Sequence, residues 1–217
     1  MTNLLEYEQK LNNQNITLIA GVDEVGRGPL VGPVVAAAVI LPINYKLDGL
    51  TDSKKINEKK RKEYYEIILK DAIAVGIAEA TAKEIDDINI LEASKLAMVR
   101  AVNNLKIKPE YLLIDGNQLI DIDIPADAII KGDSLSLSIA AASVVAKVAR
   151  DSMMYELDVA YPEYGFINHK GYPTKKHLAA LEEHGVLDNY RFSYKPVSDI
   201  LKKGDIDDGK IRKVNLN

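Results

Sequence analysis

LIAGVDEVGRGPLVGPVVAAAVILP, residues 18–42, joins two apolar runs through a pair of acids and a cluster of glycines. The first run delivers Asp23 and Glu24 at its end, Gly26-Arg27-Gly28 turns the chain, and Val34 to Leu41 carries it away again. Short uninterrupted runs of Val, Ile and Ala bounded by turn residues read as buried strands. Packing alone does not call for carboxylates at the mouth of such a strand, because a lone charge taken out of water is costly unless paired. A divalent cation is one partner that would offset the cost. Glycines at this point let backbone approach a ligand where a side chain would collide. The competing reading is a tight hairpin whose acids are merely solvated.

Composition narrows the classes. At 217 residues and 47% hydrophobic content, the chain suits one globular domain with a small appendage. Residues 1–16 read as a short N-terminal extension, 17–201 as the functional domain with its C-terminal helices, and 202–217 as a polar tail. Without cysteine there is no disulfide framework, thiolate nucleophile or thiolate metal site, which fits a reducing compartment. No stretch reads as a signal peptide or a membrane span, so the expectation is a cytoplasmic protein. A net charge of −4 argues mildly against coating nucleic acid through a global field. The lysine-rich runs DSKKINEKKRK and HKGYPTKKH still permit a basic groove with an acidic centre; solvated helix faces are the alternative.

Along the chain, Asn57 is placed to cap a helix over EKKRKEYYEIILKD, with Tyr64, Ile67 and Ile68 as its inner stripe. AVGIAEA (residues 74–80) reads as a strand, and residues 83–105 as a helix broken or re-capped near 86–89. YLLIDG (111–116) reads as a buried strand ending in an acid and a glycine, and AIIKGD (128–133) repeats that pattern. SLSIAAASVVAKVARDSMMYEL is a small-residue helix suited to close approach against a sheet, and TKKHLAALEEHG is another helix, stopped by Gly185. Strands interleaved with helices, opened by a hairpin-like pair, indicate an α/β fold with a mixed sheet.

Asp23-Glu24, Asp115 and Asp133 each close an apolar segment, and ligands gather beyond strand ends in open α/β sheets. Four carboxylates in one place would repel one another unless a cation neutralised them. An all-oxygen donor set favours Mg2+ or Mn2+ over zinc. Such a site suits phosphoryl-ester hydrolysis with two ions about 4 Å apart, one activating water and one stabilising the leaving oxygen.

GVDEVGRGPLVGPVV, LTDSKK, ILEASKLAM, YLLIDGN, KGDSLSLSIAAASVVAKVARD and YGFINHKGYPTKKH resemble bacterial ribonuclease HII, in order and with spacing kept, over residues 18–197. The resemblance implies a ribonuclease H-like five-stranded mixed sheet flanked by helices, with a helical C-terminal portion. It implies cleavage of the RNA strand of RNA–DNA hybrids, and cutting 5′ of ribonucleotides embedded in duplex DNA, by a monomer using Mn2+ or Mg2+. The products would carry 3′-hydroxyl and 5′-phosphate ends. It assigns catalysis to Asp23, Glu24, Asp115 and Asp133, the first three as metal ligands and the last completing a second metal site or handling water. It makes Gly26, Arg27 and Gly28 a backbone strip that recognises the ribose, and Tyr172 the sensor of the ribonucleotide–deoxyribonucleotide junction.

Lys54, Lys147 and Lys170 are candidate phosphate contacts. Ser143, a further candidate substrate contact, shares one helical stripe with Lys147 and Asp151 at i, i+4 and i+8. Lys147 is therefore open to an ion pair with Asp151 as well; a phosphate is favoured because the matching helix borders the family's active site. Of the three histidines, His169 lies in a matching motif, whereas His177 and His184 read as helix-surface residues. NYRFSYKP (residues 189–196) departs from the family's basic and aromatic C-terminal stretch. Nothing resembles the N-terminal platform of ribonuclease HIII. Two rivals remain. A dinucleotide-binding enzyme is disfavoured by the spacing of GRGPLVG and by Pro29, and a non-catalytic hybrid-binding module by the four intact acids.

Overall fold

A computed structural model describes residues 4–50, 53 and 56–204, the side chains of 203 and 204 excepted. Strands β1 (Ile19–Val25) and β2 (Val34–Ile40) pair antiparallel, with Asp23 opposite Ala37 and Glu24 opposite Ala36. With β3 (Ala74–Ala80), β4 (Tyr111–Asp115) and β5 (Ala126–Ile129) they form a five-stranded sheet ordered β3-β2-β1-β4-β5. The β1–β4 and β4–β5 pairs are parallel, so the sheet is mixed.

The chain divides into two compact units. One comprises residues 1–25, 35–79 and 94–149; the other comprises 26–34, 80–93 and 150–217.

The first unit holds the sheet. Helix α2 (Glu58–Asp71) begins where Asn57 accepts the Lys60 N–H through its side chain at 2.9 Å, and it buries Tyr64 and Ile68. Those two side chains share a core with Ala37 and Val39 of β2, with Leu41 just beyond it, and with the alanine- and valine-rich face of α4 (Leu137–Ala160). Small residues there permit contact at backbone distance: a Cβ on Gly21 of β1 would stand 2.0 Å from the Ser138 carbonyl carbon. On the other flank of β1, Leu11, Ile19, Leu113, Ile129 and Ile139 close a second cluster. Leu11 belongs to α1 (Glu6–Asn12), a helix inside the segment expected as an N-terminal extension. Glu8 of α1 is 6% exposed and accepts bonds from the Ser136 hydroxyl and the Ser138 N–H at the start of α4.

Helix α3 (Ala82–Asn103) contains the expected break. Asn89 has φ 67° and ψ 165°, and its side chain accepts the Leu91 and Glu92 N–H groups, re-capping the helix. Within the second unit, α5 (Phe166–His169), α6 (Lys175–His184) and α7 (Lys195–Gly204) bury Phe166, Leu181 and Val197 against Leu30, Val31, Met154, Tyr164 and Tyr190. The expected helical C-terminal portion is present. Helix α7 continues to Gly204, so Lys202 is helical although it falls in the stretch expected as tail; residues 205–217 lie outside the described residues. Among the described residues no helix is long and apolar enough to cross a membrane.

Candidate active site

Because β1 and β4 are parallel, both reach their C-terminal ends at the same edge of the sheet. Val22 is in register with Ile114, which puts Asp23 level with Asp115 one residue further on. Parallel neighbours lie about 4.8 Å apart, so the two carboxylates leave adjacent strands side by side. Asp23 is 6% exposed. Burial pushes its carboxyl well above the ordinary range, and the neighbouring Glu24 and Asp115 carboxylates add to the shift. A bond from Ser143 and the Glu24 N–H, 2.7 Å from Oδ1, pull the other way. Ser143 is itself buried at 5% exposure, and its hydroxyl is hydrogen-bonded to that of Ser53 at 2.9 Å. Its place beside Asp23 is thus that of a support for the carboxylate.

Asp133 arrives by a different route from the one expected. The strand over AIIKGD ends at Ile129; Lys131 then adopts a left-handed conformation (φ 60°), and Asp133 sits in a single 3-10 turn, Gly132–Ser134. A periodic apolar pattern cannot reveal this, because the turn is set by the Gly132 N–H donating to Asp115 Oδ1 at 2.6 Å, a tertiary contact. Asp133 is 9% exposed, and its Oδ1 accepts from the Ser134 hydroxyl at 3.3 Å.

Among the described residues no group of three or more His, Asp or Glu side chains is set to hold a metal ion by itself. The oxygen donors nonetheless fit a hard divalent cation. Mg2+ binds through one or two carboxylates plus water and substrate phosphate, without a complete protein cage. A cation beside Asp23 would also relieve the repulsion that lifts its carboxyl.

In the second unit, Gly26 has φ +95°, and a Cβ there would stand 2.2 Å from Arg150 Nε, so no other residue fits. Gly28 lies against the Tyr172 ring: a Cβ on it would be 3.1 Å from Tyr172 Cε1. Arg27 and Gly28 are exposed, and Tyr172 is 44% exposed. Two of the chain's histidines fix the tyrosine backbone. His177 Nδ1 donates to the Tyr172 carbonyl (2.8 Å) and its Nε2 accepts from the Tyr190 hydroxyl (2.8 Å). His169 Nδ1 accepts the Gly171 N–H (3.2 Å), leaving Nε2–H to donate to the Tyr164 carbonyl (3.0 Å). The two rings stack with centroids 4.2 Å apart.

His177 is fully buried, which corrects the expectation that it is a surface residue of its helix; His184 is half-buried. Burial lowers both ring-stacked imidazoles, His177 to about 4. The signal was available in the sequence, since His177 shares the i, i+4 face of Leu181. Lys170 adopts a left-handed conformation (φ 50°) at the end of α5, and Lys147 is half-buried on α4. Lys54 lies outside the described residues. Sequence reading passed over Arg150 and Arg191, both fully buried. Burial pushes the Arg150 guanidinium down to about 10 and lowers that of Arg191. For Arg150 the 3-and-4 spacing Ile139, Ser143, Ala146, Arg150, Met154 marks it as a buried-face position; Arg191 carries no such pattern.

The architecture is that of ribonucleases of the H2 and H3 kind. The ribonuclease H2 of Pyrococcus horikoshii superposes with a TM-score of 0.74 at 26% identity, over 85% of this chain and 97% of that one. A ribonuclease HII of Archaeoglobus fulgidus, solved as its complex with PCNA, gives 0.69 at 25% identity over 82% and 95%. The ribonuclease HII of Bacillus cereus is 54% identical over 198 residues, 91% of this chain and 77% of that protein. The family model of ribonuclease HII matches residues 20–197, and the chain belongs to that family.

Proposed function

We propose that this ribonuclease cuts the RNA strand of RNA–DNA hybrids and also cuts 5′ of single ribonucleotides in duplex DNA, leaving 3′-hydroxyl and 5′-phosphate ends. The observation that carries the proposal is the register that sets Asp115 beside Asp23, whose charge is held back by burial first and by its carboxylate neighbours second. Asp23, Glu24 and Asp115 would hold Mg2+ or Mn2+, and Asp133, next to the Gly132 N–H that orients Asp115, would complete a second metal site or handle the water. Divalent ions bound there supply the charge that activates water and stabilises the leaving oxygen. Ser143 keeps Asp23 oriented and favours its ionised form.

Gly26, Arg27 and Gly28 bring backbone to the ribose, and the half-exposed Tyr172 offers a ring and a hydroxyl to the sugar on its 3′ side. Lys54, Lys147 and Lys170 serve phosphates, and the enzyme works as a monomer in the cytoplasm. The test uses three matched duplexes: all-DNA, one embedded ribonucleotide, and a long RNA–DNA hybrid, each with Mg2+, Mn2+ or EDTA. Cleavage of the latter two, with a divalent ion only, is the expected result. Hydrolysis in EDTA, or cutting of the all-DNA duplex, would overturn the reading.

A further inference from the structure

The loop over residues 26–33 is spanned by two guanidiniums, both fully buried. Arg191 donates from Nη2 to the Gly26 carbonyl (2.5 Å), from Nη1 to the Arg27 carbonyl (2.8 Å) and from Nε to the Gly32 carbonyl (3.0 Å). Its Nη1 also reaches the Tyr194 hydroxyl (3.1 Å), which donates in turn to the same Arg27 carbonyl (2.7 Å). Arg150 donates to the carbonyls of Val31, Pro33 and Lys170 at 3.1–3.2 Å. The ends of this network are anchored too. Asp86 accepts the N–H groups of Phe192 and Ser193, and Arg191 N–H donates to the Leu30 carbonyl.

Burying a guanidinium is expensive, and carbonyls repay less of that cost than a carboxylate would. A neutral side chain could fill the volume, so the pattern of bonds suggests a reason for the charge. The carbonyls of Gly26 and Arg27 both point at Arg191. All described peptide bonds are trans, and in a trans peptide the N–H lies opposite the carbonyl. Fixing those two carbonyls therefore aims the N–H groups of Arg27 and Gly28 away from the guanidinium. A cation at the carbonyl end polarises each peptide further and strengthens its N–H as a donor.

We infer that Arg191 is a positioning residue for ribose discrimination: through three carbonyl bonds it sets the orientation of the Gly26–Gly28 peptides that meet the 2′-hydroxyl side of the substrate. The inference rests on the proposed role of that strip. Arg191 touches no reacting atom; it acts through the backbone. A lysine keeps the charge but cannot reach three carbonyls in one plane, so it separates the fork from the charge.

The test compares kcat/KM on a duplex carrying one ribonucleotide with the inhibition constant of the matched all-DNA duplex. Arg191→Lys should lower kcat/KM roughly tenfold or more, the scale of losing a charge-assisted hydrogen bond. The all-DNA inhibition constant and the stabilisation by Mn2+ should stay as in wild type. Because both changes act on one strip, Arg191→Lys combined with Gly28→Ala should lose much less than the product of the two single losses. A folded Arg191→Lys protein with unchanged kcat/KM, an inhibition constant that weakens in parallel, or fully multiplicative losses would each overturn the inference. If Arg191→Lys does not fold, Tyr194→Phe removes only the hydroxyl that shares the Arg27 carbonyl. A loss of about fivefold is then expected, and no loss would overturn the inference. A wild-type enzyme that shows no ribose requirement would instead sink the strip's proposed function, whatever Arg191 does.

Discussion

Asp23 is held out of water beside two other carboxylates, and its behaviour alone separates a metal site from a structural acid. Replacing it with asparagine removes a ligand and the repulsion together. Asp23→Asn should reduce cleavage at least about a hundredfold, the scale of losing one preorganised electrostatic group. In EDTA the variant should melt higher than wild type by about 3 °C, roughly the shift for 1 kcal/mol in a chain of this size. Mn2+ should then stabilise wild type and have little effect on Asp23→Asn; the reverse order of melting temperatures would count against a charge-strained site. Tyr172 belongs to the same scale. Its ring lies against Gly28 and is 44% exposed, so Tyr172→Phe should cost about fivefold in cutting an embedded ribonucleotide. Tyr172→Ala should cost more, with all-DNA binding unchanged; wild-type cutting by Tyr172→Ala would return Tyr172 to a packing role.

At the scale of elements, the helices that carry the site are held by two kinds of interaction. Helix α2 depends on a local one: Asn57 caps it through the Lys60 N–H. Asn57→Ala should therefore lower stability by about 1 kcal/mol with kcat on a hybrid unchanged, as read by urea unfolding and a cleavage assay. Helix α4 depends on a tertiary one, the close approach of Ser138 to Gly21. Gly21→Ala drives a methyl group into backbone on the strand that bears Asp23. Unlike Asn57→Ala, it should lose stability by about 1–3 kcal/mol and activity together; undiminished cleavage would mean that β1 shifts without disturbing its acids. The local cap, the helix break at Asn89 and the apolar patterns of β1 to β4 were legible in the sequence, because each depends on neighbours within a few residues; β5, expected over residues 128–133, instead spans Ala126–Ile129.

For the whole molecule, acid is the informative variable. The buried His177 takes its proton in the folded state only near pH 4, whereas an unfolded histidine titrates near 6.5. The unfolded chain thus binds more protons between those values, and this contribution to stability is fully present above about pH 6.5 and lost as pH falls towards about 4. His169, also lowered, adds in the same direction. His177→Gln should flatten the fall in urea midpoint between pH 7 and pH 5; an unchanged profile would assign the acid sensitivity elsewhere. A net charge of −4 also means that nucleic-acid binding has to come from local cations. Lys170→Gln should reduce the log–log salt slope by roughly 0.9, the step for one phosphate left without its cation, while Lys202→Gln should leave the slope unchanged.

The sequence by itself determined the first four strands of the sheet, the glycine strip between two of them, the acids Asp23, Glu24 and Asp115 at strand ends and, through its motifs, the ribonuclease HII family. Those features repeat a local rule: apolar period, turn residue, charge at an end. Only the tertiary structure decided that Asp133 sits on a helical turn pinned by Asp115, that α1 is tied by Glu8 to the start of α4, and that His177 and Arg191 are interior. The physical reason is the same in each case. A polar side chain is written identically whether it faces water or a buried carbonyl, and its partner lies far along the chain: 128 residues separate Glu8 from Ser136, and 165 separate Gly26 from Arg191. What pairs with a buried polar group is settled by the fold that brings the partner.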